Sequence, residues 1–508
     1  MSATATLSSA TEVPGILSTV PGEDRLRWLR LFVFTYFALW VFEGVLRKWL
    51  LPGLSGPLLL IRDPILLLIY GEAIRQKAFK FNGWITFMVV LGTLSTIVGM
   101  GLVNPPPAKV LIFGMRANFL HLPLIFVLPQ IIDYRHVKRI GSFILWFAPA
   151  MAVLATAQFI SSTDSILNVG AGGEGKMIET ALGRIRPSGT YTFTNGLSQY
   201  TVLLAAFLFH HILERNVFSK LAFLIAPPCL LVLVLVSGSR TTFALVILQL
   251  LAIFAIWILK PRFLKSSLKL FALGFLVFSI VGSFGVLRVG LDVILERFGD
   301  KKNVKEGFIG RFVDEFKKPV EAAAKADIAG VGVGMGTNAA SSMMYKTVIF
   351  NFGESELDRI IMEMGPVLGF PYLFWRGGVV ILLFGASLAA LRKDNNTLPL
   401  LLTVACANDV IQGQFGQTTI LGFAVMTAGF AFASIRKPTL TPVENSPDSS
   451  QSSIFPLPVG SISPYAAALH AESLPSPSQE TPASKPPRPK TKKPRAPRKK
   501  AVPPADRP

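Results

Sequence analysis

The residues in this chain best suited to chemistry are arginines set among small hydroxyl residues. Arg184 and Arg186 stand in the polar run 183–199, GRIRPSGTYTFTNGLSQ, and Arg240 closes Ser237-Gly238-Ser239-Arg240. A guanidinium donates two parallel hydrogen bonds from a planar fork, and its charge does not titrate away, so it suits phosphate. Neighbouring Ser, Gly and Thr let backbone N–H groups approach an anion. Two or three such arginines from separate segments match the charge of a diphosphate. One alone can equally snorkel at a membrane interface, so the pattern carries the argument.

Arg116, in FGMRANFLHLPLIF, falls inside an apolar stretch. A charge there is costly, which makes it a functional candidate unless a buried polar group pairs with it. Arg62 and Asp63, Asn408 and Asp409, and His121 are weaker cases of the same kind. GESELDRIIMEMGPVLGF supplies Glu354, Glu356, Asp358, Arg359 and Glu363. On a helix Glu356, Arg359 and Glu363 share one face. They form either a salt-bridged turn or a site where a carboxylate accepts a proton from an attacking hydroxyl. No histidine lies between His211 and His470 to do this. The glycine string at 329–338, AGVGVGMGTN, lacks the surrounding strand–helix–strand context of a dinucleotide site. It reads as a close backbone approach to a sugar or phosphate, or as a flexible loop. Cys229 and Cys406 lie in apolar runs and behave as small hydrophobes. No metal-ligand spacing occurs, and no cofactor is expected.

These residues must be positioned by membrane helices. The chain has 508 residues, 51% hydrophobic and only 16% charged, against about 25% charged in soluble domains. Its apolar blocks approach the ~20 residues needed to cross a bilayer. The reading is an all-α polytopic membrane protein with about twelve transmembrane helices. Their cores are at 31–46, 54–71, 84–103, 110–130, 140–160, 196–213, 219–236, 241–259, 268–287, 364–391, 398–413 and 418–435, with a kink expected near Pro371. Lys and Arg follow every even-numbered span and precede the first, which predicts cytoplasmic termini. The start has no cleavable-signal pattern. Three segments are predicted: 1–28 cytoplasmic, 29–437 transmembrane with outward loops at about 161–195 and 288–363, and 438–508 cytoplasmic. The last is rich in Pro, Ser and Lys and is expected to be disordered. Its basic end is suited to anionic headgroups rather than to nucleic acid. The net charge of +20 therefore does not by itself indicate a nucleic-acid partner.

With those pieces in order, the chain resembles the bacterial O-antigen ligase/polymerase family. RPSGTYTFTNGLSQY before a span, VSGSRTTFALVILQLL opening a later one, and GVGVGMGTN followed by ESELDRIIMEMGPVLGF carry the likeness, over roughly 110–435. The resemblance implies a GT-C-like membrane fold and a glycosyltransferase working without a bound metal. The donor would be an undecaprenyl-diphosphate-linked glycan, met at the periplasmic side of the bacterial inner membrane. Arg186 and Arg240 would hold the diphosphate, with Arg116 contributing. Arg184, Asn195 and Arg359 are candidate substrate contacts. Many members place His-Asn where this chain has Glu354 and Ser355, so Glu354 and Glu356 are the candidate catalytic bases. The missing histidine favours an O-antigen or exopolysaccharide polymerase, with a glycan acceptor and a chain-length co-polymerase as a partner. The alternatives are a ligase to lipid A core and, from another class, a polysaccharide flippase or secondary transporter.

Overall fold

The structure is a computed structural model. It describes residues 25–173, 179, 181–214, 217–265, 285–299, 308–337 and 355–437, with isolated positions between 268 and 344. Glu354, Asn338, most of the expected span at 268–287, residues 1–24 and the segment 438–508 lie outside the described residues.

The described residues are helical, with one isolated β-bridge between Glu179 and Ile185. The apolar blocks become helices whose starts are set by polar caps. Helix α1 spans Arg27–Val45 and runs into a wider π turn, Leu46–Leu50. Next come α2 (Arg62–Arg75) and α3 (Gly83–Met100), the latter capped by Asn82 Oδ1 accepting from Ile85 N–H. Helix α4 (Ala108–Met115) continues as a π turn through Leu120. Helix α5 (Leu124–Ile131) follows at 46° across the break that contains Pro123. Asp133 and His136 form a reciprocal cap on α6 (Tyr134–Ile160). Helices α7 (Thr194–Glu214), α8 (Lys220–Val236) and α9 (Arg240–Leu259) come next, α8 and α9 capped by Ser219 and Ser239. After α10 (Gly285–Gly299) and α11 (Phe308–Ala323), α12 covers Glu356–Asp394. Helices α13 (Leu398–Gln412) and α14 (Thr418–Ala433) complete the bundle.

Six of these helices are long and apolar enough to cross a membrane, or seven if the bent α4–α5 pair is one span. Helices α8, α13 and α14 are apolar but shorter. Two expectations need correction. The block at 54–71 is not one helix: a four-residue helix, Ser55–Leu58, which holds Gly56 and Pro57, and a turn at 59–61 come before α2 begins at Arg62. The break in α12 lies at Gly365 rather than near Pro371. Gly365 takes φ +70°, which precedes Pro366 and ends the first helical segment.

Helices α7 and α14 are almost entirely buried, α14 packing on α13, α5 and α7. The outer helices turn large apolar side chains outward, among them Leu67, Ile97, Ile112, Phe374 and Ile381. An apolar surface of that extent belongs in lipid. The basic helix ends meet one another. Arg25 bonds to Gln76 at the end of α2, and Arg30 Nε donates to Ile131 O at the end of α5. Lys260 Nζ, after α9, donates to Arg392 O near the end of α12. Lys437, after α14, pairs with Glu214 at the end of α7.

Candidate functional site

At the other end of the bundle, the chain between α6 and α7 is held in a fixed path. Gln158 Oε1, near the end of α6, accepts the N–H groups of Ser188 at 3.2 Å and Gly189 at 2.8 Å. Its Nε2 donates to Leu167 O at 3.0 Å and Gly189 O at 3.3 Å. Lys48 is buried in the π turn after α1. Its Nζ donates to Ser188 Oγ at 2.8 Å, Tyr191 O at 3.3 Å and Gly189 O at 3.4 Å. Gly189 has φ +59°, and a Cβ there would lie 2.5 Å from Met151 Sδ. Glycine takes that backbone conformation without strain, and a side chain there would have to displace Met151.

This path sets Arg186 on the wall of a cavity of about 240 Å³. Asn195 and Gln199 of α7 line it, as do Ser239 and Thr241 at the start of α9 and Asn408, Asp409 and Gln412 at the end of α13. Gln249 Nε2 donates to Val202 O at 2.9 Å, pinning α9 to α7 beside it. The polar side chains inside bond to one another. Gln199 Nε2 donates to Asp409 Oδ2 at 3.1 Å, Asn408 Nδ2 to Asp409 Oδ1 at 3.4 Å, and Gln412 Nε2 to Asn408 Oδ1 at 2.5 Å. Asn195 Nδ2 donates to Gln417 Oε1 at 3.3 Å. The cavity thus offers a guanidinium and hydroxyls, which suit an anion, beside amides and a carboxylate, which suit hydroxyl groups.

Arg240 heads α9 and is not itself among the lining residues, although Ser239 and Thr241 on either side of it are. Arg184 is not among the lining residues; its guanidinium carbon lies 5.9 Å from the centre of the Phe159 ring. Arg116 is held by Asp63, with Nε to Oδ2 at 2.6 Å and Nη2 to Oδ1 at 2.9 Å. His121 joins the same carboxylate at 3.0 Å and Tyr36 OH at 2.8 Å. The buried partner that the sequence left open for Arg116 is therefore Asp63. Arg62 pairs with Glu43, which also receives Arg47.

Of the two carboxylates expected to act as bases, Glu354 lies outside the described residues and Glu356 is engaged. Arg359 Nε and Nη2 donate to the two oxygens of Glu356 at 2.8 and 2.7 Å, and Arg376 Nη1 reaches Glu356 at 3.2 Å. Arg359 Nη1 donates to Glu363 at 2.5 Å. These four side chains are buried, two positive and two negative. Glu363 also accepts the N–H groups of Gly334 and Gly336, both at 2.8 Å. The glycine string makes a close backbone approach, but to its own chain. A Cβ on Gly330 would lie 2.4 Å from Gly365 N, and one on Gly334 would lie 2.6 Å from Val110 O.

The sequence marks Asn408 and Asp409 only weakly and does not single out Gln199, Gln412 or Lys48. One signal was available: Asn408 and Gln412 are four apart in an otherwise apolar helix, so they share a face. Lys48 gave none, since its partners are backbone and hydroxyl groups distant in sequence. No family model, curated protein or solved structure matches the chain.

Proposed function

We propose that the chain transfers or polymerises undecaprenyl-diphosphate-linked oligosaccharide repeat units at the periplasmic face of a bacterial inner membrane, as an O-antigen or exopolysaccharide polymerase. The observation that carries this reading is one cavity joining Arg186, Asn195 and the two residues flanking Arg240, from segments distant in sequence. It lies at the end of the bundle away from the basic helix ends, which suits an outward site if the basic ends are cytoplasmic. The full reading has twelve spans in a GT-C-like arrangement with both termini cytoplasmic. Arg186 and Arg240 take the donor diphosphate, and fixed charge in a water-poor site stabilises the leaving group.

The test is the glycan profile of a strain lacking the protein, with its lipid-linked intermediates weighed by mass. Single repeat units should accumulate and long chains should vanish. Arg186→Lys and Arg240→Lys should reproduce the loss, because an ammonium cannot make the bidentate contact. Normal glycan in both variants would remove the diphosphate site. Long chains stranded on the carrier would mean a ligase to lipid A core instead.

One observation favours a second reading, a flippase or secondary transporter. The bent pair α4–α5 surrounds a buried Arg116–Asp63–His121 cluster, and transporters build sites from broken helices. Repeat units trapped on the cytoplasmic face of the deletion strain would support it.

A further inference from the structure

The glycosyl-transfer reading needs a group to take the proton of the attacking hydroxyl. Glu356 and Glu363 are bound to arginines, and Glu354 lies outside the described residues. Among the described residues lining the cavity, Asp409 is the one carboxylate. Its oxygens accept from two neutral amides, Gln199 and Asn408. The nearby Arg376 is spent on backbone carbonyls, Val410 O at 2.7 Å, Gly413 O at 2.8 Å and Asp409 O at 3.4 Å, and on Glu356.

The amides beside Asp409 are only half used. Gln199 and Gln412 each donate through Nε2, while Gln199 Oε1 and Gln412 Oε1 are buried without a hydrogen-bond partner. Gln199 is 5% exposed. A buried acceptor left unmet is costly, and an entering hydroxyl donor would satisfy it. The cavity, about 240 Å³, is smaller than the pockets of ~300–1,000 Å³ that enclose drug-sized ligands. It has room for a sugar ring whose hydroxyls both donate and accept.

We propose that Gln199, Asn408, Asp409 and Gln412 form the subsite for the acceptor sugar, and that Asp409 accepts the proton of its attacking hydroxyl. The proposal rests on the glycosyl-transfer reading. The hydroxyl oxygen forms a bond to the anomeric carbon of the donor as the bond from that carbon to the diphosphate oxygen breaks. The electron pair of the broken bond leaves with the diphosphate, beside Arg186. The hydroxyl proton passes to the Asp409 carboxylate, which becomes neutral and later returns the proton to water.

The test uses the full-length protein in lipid nanodiscs, with undecaprenyl diphosphate as the binding probe and the lipid-linked repeat unit extracted from the deletion strain as substrate. Asp409→Asn keeps the shape of the side chain. Its affinity for undecaprenyl diphosphate should be unchanged while kcat falls by about 10²–10⁴-fold, the range for a lost general base. Asp409→Glu should recover part of the rate. Gln199→Met should raise KM for the acceptor more than it lowers kcat. If Asp409→Asn turns over like wild type, or loses probe affinity in step with kcat, the assignment to Asp409 is overturned and glycosyl transfer stands. If wild type binds the probe but joins no repeat units, both are overturned.

Discussion

Lys48 Nζ donates to Ser188 Oγ at 2.8 Å and so ties the end of α1 to the loop that carries Arg186. The three acceptors around this ammonium are a hydroxyl and two carbonyls, and none is a carboxylate. Burying such a charge is expensive, so the contact is expected to serve the loop rather than stability. Lys48→Met should leave the thermal midpoint in detergent unchanged or higher. Affinity for undecaprenyl diphosphate should fall by roughly tenfold, as the Arg186 loop loses about one charged hydrogen bond. Wild-type affinity in this variant would mean that Gln158 holds the loop alone.

Glu356 is expected to act in folding rather than in proton transfer. It neutralises Arg359 and Arg376 in a buried network, and removing one partner of such a set typically costs ~3–5 kcal/mol. Glu356→Gln should therefore lower the yield and melting temperature of purified protein. A variant that folds with normal yield and melting temperature but is inactive would return Glu356 to the list of candidate bases.

Gly365→Ala tests the seam between the glycine string and α12. Gly365 has φ +70°, and a Cβ there would lie 2.0 Å from Ile328 O. Strained backbone of this kind costs about 1–3 kcal/mol before the clash is counted. Gly377→Ala is the control, since nothing lies within 4 Å of its added Cβ and it sits mid-helix. The first variant should melt well below wild type. The second should match it or gain up to about 1 kcal/mol from helix propensity. Equal melting of the two would mean that the seam bears no load.

Hydropathy alone marks the positions of most of the described helices, because a bilayer demands apolar blocks, and polar caps set where several of them start. The predicted core at 196–213 sits inside Thr194–Glu214, and 241–259 inside Arg240–Leu259. Of the two arginines that their small hydroxyl neighbours single out in the sequence, Arg186 lies on the cavity wall, whereas Arg240 is not among the lining residues, although Ser239 and Thr241 on either side of it are. The candidate site was not legible where a partner decides the role. Arg116 and Glu356 look functional in sequence, and only their contacts with Asp63 and Arg376 show what occupies them. The glycines at 330–336 look like a ligand loop because close backbone approach needs glycine whatever is approached. Here the approached groups are Gly365, Pro106 and Val110.

Arg116 and Asp63 allow a double-mutant cycle that separates packing from substrate contact. The pair is bidentate and mostly buried, with side-chain exposures of 6% and 15%, so breaking it from either side leaves an unpaired charge. Arg116→Met and Asp63→Asn alone should each destabilise by roughly 3 kcal/mol or more, while the double variant should recover most of the loss, because a buried pair replaced together is often near neutral. If the pair is structural, the recovered double variant also makes normal glycan. If Arg116 contributes to the donor site, or the α4–α5 break is a transport path, the double variant folds but does not rescue glycan production. Measuring melting temperature and glycan profile on the same variants distinguishes these outcomes, and a stable double variant without glycan would move Arg116 back into the functional machinery.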